Sequence, residues 1–164
     1  MRKQKGNIML LKGSCHCQSV KFEVESKHPY PFNFCYCSIC RKTAGGGGYV
    51  INLSADAESL TVEGKEYIGI YNAKTDSGFS TMERNFCRNC ASALWVYDPK
   101  WPELLHPFAS AIDTRLPVPP ERTHLMLSSK KSWVEADVKA NDKCFAEYPE
   151  ESIAQWHERL NLVK

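Results

Sequence analysis

Residues 35–44, Cys-Tyr-Cys-Ser-Ile-Cys-Arg-Lys-Thr-Ala, followed by Gly45, Gly46, Gly47 and Gly48, put three thiols, two cations and a flexible loop into fourteen positions. Thiolates sit about 2.3 Å from a zinc ion, so Cys35, Cys37 and Cys40 need only a tight turn to face one cation. A fourth ligand is missing locally. Structural zinc sites are closed by four protein ligands, whereas catalytic ones keep a position for water or substrate. Two further pairs, Cys15 with Cys17 and Cys87 with Cys90, together make a complete four-thiolate set. The simplest division is one closed site (Cys15, Cys17, Cys87, Cys90) and one open site (Cys35, Cys37, Cys40).

Other uses of the eight cysteines stay open at this point. Disulfides would have to cross between clusters, because a bridge within Cys-x-Cys is strained. Iron also accepts thiolates, although no ferredoxin spacing is present. Cys144 stands apart from the other seven, either a free thiol or a distant fourth ligand that closes the open site. His16, between Cys15 and Cys17, reads as a solvated or hydrogen-bonded side chain, with ligation as the competing reading.

With 21 basic and 19 acidic side chains and a formal charge of +2, the chain offers no electrostatic case for nucleic acid or an anionic membrane. No apolar run approaches the roughly 20 residues of a membrane span, and the start of the chain is too short in its apolar part for a secretory signal. A soluble cytoplasmic protein is expected, where thiols serve metals or catalysis more often than disulfides. A length of 164 residues fits one domain.

The elements that must position the thiols are mainly β. Residues 1–10 read as a flexible N-terminal segment leading into a first strand. Cys15 and Cys17 fall on one side if that segment is extended, because side chains alternate with period two. Val20, Phe22 and Val24 alternate with Lys21, Glu23 and Glu25 as a half-buried strand does. Short strands follow around 49–52, 59–63 and 66–71, and the polar stretch 72–80 has the composition of a solvated loop. Cys87-Arg-Asn-Cys90 has the form of a zinc knuckle in a hairpin that returns through 93–97. Prolines then leave room only for short strands near 108–112 and 124–127. The one helix expected is C-terminal, with Pro149, Glu150 and Glu151 in its first turn and Ile153, Trp156 and Leu160 as its apolar stripe.

Gly13-Ser-Cys-His-Cys, Cys35-x-Cys-x-x-Cys-Arg-Lys, Phe86-Cys-x-x-Cys with Leu94 after it, Ala111-Ile-Asp113 and Trp133-Val134 together resemble the glutathione-dependent formaldehyde-activating (Gfa, or CENP-V domain) family over roughly residues 11–137. The resemblance implies a β-rich, Mss4-like fold of short antiparallel strands with two zinc ions. Residues 138–164 would be an extension whose helix packs on the domain. Cys15, Cys17, Cys87 and Cys90 match the family's structural site, and Cys35, Cys37 and Cys40 its catalytic one. Gln18 and Ala91 stand where the family commonly has glycine.

The activity implied is that of S-hydroxymethylglutathione synthase, a carbon–sulfur lyase joining glutathione to an aldehyde. Charge agrees with thiol chemistry: three thiolates on a divalent ion leave −1, a weak Lewis acid for hydrolysis but a suitable partner for a fourth sulfur. Arg41 and Lys42 either offset the resulting charge or form a solvated turn. Gly45–Gly48 either let backbone approach a peptide-like ligand or supply flexibility alone. The expected partners are a small thiol and an aldehyde, with neither nucleic acid nor membrane. The competing reading is a noncatalytic, zinc-stabilised binding module on the same fold.

Overall fold

Alternation of apolar and charged residues after Ser19 produces a strand that is buried on one face. Val20, Phe22 and Val24 are essentially inaccessible, while Lys21 and Glu25 face solvent. The computed structural model describes residues 8–27 and 30–162. Its strands are β1 (Ile8–Ser14), β2 (Lys21–Lys27), β3 (Phe32–Cys35), β4 (Val50–Asn52), β5 (Ala55–Asp56), β6 (Thr61–Glu63), β7 (Ile68–Thr75), β8 (Gly78–Cys87), β9 (Ala93–Tyr97), β10 (Leu104–Pro107), β11 (Arg122–Leu125) and β12 (Lys143–Cys144). Two helices accompany them, α1 (Ser38–Thr43) and α2 (Ile153–Arg159).

The fold is mainly β and built of short strands, as the family resemblance implied. Three sheets form, in the orders β1-β2-β6, β5-β10-β9-β8-β7 and β12-β11-β3-β4. The first two are antiparallel throughout; in the third, β11 runs parallel to both β3 and β12. Phe22 meets Trp95 edge-on at 5.0 Å between ring centroids, which locks the first sheet to the second. Isolated bridges at Gly13–Ile112 and Asn52–Phe108 add backbone ties between segments.

Several local expectations change. Residues 1–7 lie outside the described residues, and Ile8–Leu10 already pair with β2. Residues 72–80, expected as a loop, are the β7–β8 hairpin, whose polar side chains suit a sheet-edge position open to water. The strand expected near 108–112 is a short 3-10 turn, Ala109–Ala111, and the pairing residues are Leu104–Pro107 just before it.

The C-terminal helix begins later than Pro149. Ser152 caps it, accepting from the Gln155 backbone N–H, while the Gln155 side chain reaches back to the Ser152 N–H. Its inward face is Trp156 with His157, whereas Ile153 and Leu160 are only half-buried. Trp156 Nε1 donates to Glu121 Oε1 at 3.2 Å, and Arg159 pairs with the same carboxylate at 2.6 Å. The helix therefore docks through one aromatic and one ion pair.

Candidate metal centres

The first centre joins the start of the chain to the β8–β9 hairpin. Sγ atoms of Cys15, Cys17, Cys87 and Cys90 all lie within 4.8 Å of one another. Cys15 and Cys17 are 3.6 Å apart and Cys17 and Cys87 3.7 Å. Four sulfurs at about 2.3 Å from a tetrahedral zinc stand about 3.8 Å apart, so this set fits such an ion, whereas a disulfide requires about 2.0 Å. All eight cysteines are free thiols, which decides against the cross-cluster disulfides. His16 is exposed and outside the cluster; its backbone N–H donates to Ser92 Oγ.

Cys15–Gln18 is a tight turn rather than the extended segment expected, and both halves of the site are built alike. Gln18 N–H donates to the Cys15 carbonyl at 3.0 Å and Ala91 N–H to the Cys87 carbonyl at 2.8 Å. Each turn then needs a left-handed residue, Gln18 at φ 63° and Ala91 at φ 61°. These are the two positions at which the family resemblance implied glycine. A Cβ there costs roughly 1 kcal/mol. The Gln18 amide recovers part of that by donating to Ser14 Oγ and the Cys15 carbonyl. Ala91→Gly is therefore expected to raise the denaturant midpoint modestly, by under about 1 kcal/mol once unfolded-state entropy is subtracted, and Gln18→Gly by less. A midpoint lowered by Ala91→Gly would contradict this account.

Hydroxyls tune the same sulfurs. Ser19 beside Cys17 lowers that thiol, Ser92 beside Cys90 lowers it to about 5, and burial pushes Cys87 up to about 11. The thiolate character so favoured at Cys17 and Cys90 suits metal ligation, while the buried Cys87 thiol needs a cation to ionise.

The second centre lies where β3 turns into α1. Cys35 ends β3, Cys37 caps α1 by accepting from the Cys40 N–H at 3.3 Å, and Cys40 sits one turn in. Their three Sγ atoms lie within 4.8 Å of one another, and Cys144 is not among them. Among the described residues this cluster has no fourth His, Cys, Asp or Glu ligand. Hydrogen bonds from Cys35 and Cys40 hold the Cys37 thiol far below its ordinary range, and the same sulfur contacts push Cys35 far above. Three sulfurs competing for protons in this way are a donor set that a divalent cation satisfies in their place. Val50, Val96, Phe108 and Leu125 pack around Cys35 and Cys40, so the cluster is backed by apolar side chains.

Charge compensation comes from a residue that the sequence did not single out. Arg84, on β8 and 8% exposed, donates from both terminal nitrogens to Cys40 Sγ at 3.6 and 3.7 Å and from one to Thr43 Oγ1 at 3.4 Å. A guanidinium buried this deeply calls for an anion. Neither Arg41 nor Lys42 hydrogen-bonds a thiol among the described residues; both lie in the last turn of α1, Arg41 half-buried and Lys42 exposed.

The glycine run divides in two. Gly48 takes φ 97°, and a Cβ on it would run into Val134 Cγ2 and stand 3.3 Å from the Trp133 ring. Gly45 is closed off by the Tyr49 carbonyl, 2.5 Å from its would-be Cβ. Gly46 and Gly47 open onto empty space and are exposed. Gly48→Ala is expected to cost about 2–4 kcal/mol through combined overpacking and backbone strain, while Gly46→Ala stays within about 0.5 kcal/mol. Equal thermal midpoints for the two variants would refute the distinction.

The family model for the glutathione-dependent formaldehyde-activating enzyme matches residues 10–129. A Halomonas elongata protein named, provisionally, as a glutathione-dependent formaldehyde-activating enzyme is 66% identical over 154 residues, 94% of this chain and 98% of that one. A Rhodobacter sphaeroides protein of known crystal structure is 28% identical, covering 65% of this chain and 91% of that one with a TM-score of 0.49. No described helix is long and apolar enough to cross a membrane. With the family model covering most of the chain, and its thiols gathered into one four-sulfur and one three-sulfur cluster, this protein belongs to the glutathione-dependent formaldehyde-activating enzyme family.

Proposed function

We propose that the chain is a zinc-dependent carbon–sulfur lyase that forms or cleaves the hemithioacetal of glutathione and an aldehyde, working in the reducing cytoplasm. The observation that carries the reading is the three-thiol cluster, one ligand short of a closed site and backed by a buried guanidinium. A purely structural metal has no reason to leave a coordination position open. Two zinc ions are proposed, a structural one on Cys15, Cys17, Cys87 and Cys90 and a catalytic one on Cys35, Cys37 and Cys40.

Cys35, Cys37 and Cys40 would hold the zinc ion, which would supply the positive charge that favours an ionised substrate thiol near neutral pH. The protein's own residues do the remaining work. The β3–α1 turn fixes three sulfurs on one side and leaves the other to the substrate thiol. Arg84, donating to Cys40 Sγ, would offset the negative charge of the cluster's thiolates and of a substrate thiolate beside them. Val50, Val96, Phe108 and Leu125 exclude water from the rear of the cluster, which strengthens that electrostatic contact. The glutathione sulfur gives its proton to solvent and bonds to the aldehyde carbon; the carbonyl oxygen takes a proton and becomes the hydroxyl of the adduct. Cleavage is the same sequence reversed. Gly46 and Gly47, exposed just beyond α1, offer main chain to the peptide part of glutathione.

The test is adduct formation between glutathione and formaldehyde, followed by exchange NMR that resolves the uncatalysed background. Wild type should accelerate exchange and Cys40→Ser should not. A background rate unchanged by wild-type protein would remove the lyase and leave a zinc-held binding module.

A further inference from the structure

The chain continues past the family-matched residues and returns to the open centre. β12 lies parallel to β11, with Cys144 opposite His124. Beyond it the path is pinned by main-chain hydrogen bonds, from Phe145 N to the His124 carbonyl at 2.8 Å, and from Met126, Leu127 and Ser128 N to the Glu147, Phe145 and Ala146 carbonyls at 2.9, 3.2 and 3.0 Å. That partner segment borders the thiols. Leu125 stands opposite Cys35, its carbonyl accepts from the Tyr36 N–H at 3.1 Å, and Leu125 and Met126 pack on the Cys35–Cys40 cluster.

A second anchor fixes the extension from below. Asp142 accepts from Arg122 Nε and Nη2 at 2.9 and 2.6 Å, and His124 Nε2 lies 3.1 Å away. Because a carboxylate only accepts, His124 Nε2 carries the proton and Nδ1 accepts from the Tyr36 hydroxyl at 2.9 Å. His124 is fully buried, and Tyr36 is the residue between two of the three thiols. One connected network thus runs from the extension to the ligand turn.

Tyr148 directly follows this pinned segment. Its side chain is 70% exposed, and its phenol lies within electrostatic reach of Cys35, Cys37, Cys40 and Arg84 together. We infer that residues 137–148 form one wall of the open site and that Tyr148 is a catalytic residue there, donating its hydroxyl hydrogen to the substrate oxygen. That oxygen is the aldehyde carbonyl in one direction and the adduct hydroxyl in the other. The inference rests on the lyase reading. Tyr148 suits the task because Arg84 is buried and committed to Cys40 Sγ and Thr43 Oγ1, whereas the Tyr148 side chain is exposed to the solvent from which an aldehyde arrives. A phenol keeps its hydrogen at neutral pH and is therefore a hydrogen-bond donor there.

Tyr148→Phe, an exposed and isosteric change, should fold and bind zinc as wild type does. It should lower kcat for adduct formation about 10- to 100-fold, as expected for one hydrogen bond to a charge-bearing oxygen, with KM for glutathione within about twofold. Tyr71→Phe, on the exposed part of β7, should leave both unchanged. The second readout is ring-carbon NMR of labelled tyrosine. The resonance missing in Tyr148→Phe should move when formaldehyde is added to glutathione-saturated wild type. An active wild type matched in kcat by Tyr148→Phe, with that resonance stationary, overturns the role of Tyr148 and leaves the lyase standing. A wild type without activity overturns both.

Discussion

Cys87→Ser is expected to abolish the cooperative unfolding transition, whereas Cys40→Ser should give a folded protein that has lost metal only from the open centre. Structural zinc in a thiolate site contributes about 10–16 kcal/mol of apparent binding energy that is coupled to folding. A whole domain nets only about 5–15 kcal/mol. Cys87 is fully buried beside Cys17, so a serine there leaves a poor ligand where three thiolates still face one cation. Calorimetry and metal analysis check the pair. Replacing Cys35, Cys37 and Cys40 together by serine should lower zinc from about two per chain to about one while the transition survives. A wild-type transition in Cys87→Ser would sink the assignment of the closed site as structural.

Arg84→Met should weaken glutathione binding on the order of 100-fold while zinc stays at two per chain. Removing one member of a buried, hydrogen-bonded charge pair costs about 2–5 kcal/mol, and tenfold corresponds to about 1.4 kcal/mol. Arg84 contacts Cys40 Sγ with two donors, so the fourth sulfur would arrive with nothing to offset its charge. Arg84→Lys should recover only part of the loss, because an ammonium cannot reproduce the planar fork. Arg41 and Lys42 hydrogen-bond no thiol among the described residues, so Arg41→Met and Lys42→Met should change affinity by less than about 1 kcal/mol. Calorimetric titration of zinc-loaded protein with glutathione measures all four. Wild-type affinity in Arg84→Met, with a large loss in Arg41→Met, would return the charge-offsetting role to the α1 cations.

Both thiol clusters were legible because their ligand spacings are local: a Cys-x-Cys or a Cys-x-x-Cys announces a turn whatever lies around it. β2 was legible for a similar reason, since Phe22 and Val24 alternate with charges over a full strand. The β7–β8 hairpin was hidden because Asn72, Lys74, Thr75 and Ser80 read as loop residues, yet at a sheet edge their polar side chains reach water without breaking the ladder. Helix α1 is six residues long, too short for any periodicity to show. Arg84 left no signal because an arginine between Glu83 and Asn85 looks solvated; only the strand pairing that turns it inward toward Cys40 reveals it. Tyr148 was invisible for the same reason, being distant in sequence and brought near by β12. The run Gly45–Gly48 could be recognised as special, but which of the four met a neighbour depended on Val134, Trp133 and Tyr49.

The two clusters also differ in how far apart along the chain their members lie, and this sets an order in time. Cys35, Cys37 and Cys40 can meet as soon as one turn forms, a matter of microseconds or less for so short a loop. Cys17 and Cys87 are 70 residues apart, and bringing them together closes most of the first half of the chain. Loop closure of that size costs several kcal/mol of chain entropy, roughly what a disulfide of equal span would remove from the unfolded ensemble. During synthesis, the three-thiol turn emerges well before Cys87 and Cys90 leave the ribosome. On the proposed two-zinc reading, the nascent chain would offer its three-thiol cluster to a zinc ion first, while the ion joining Cys15 and Cys17 to Cys87 and Cys90 would be captured late. Refolding from a metal-free chain should accordingly show a fast phase at the turn and a slow, zinc-concentration-dependent phase at the hairpin.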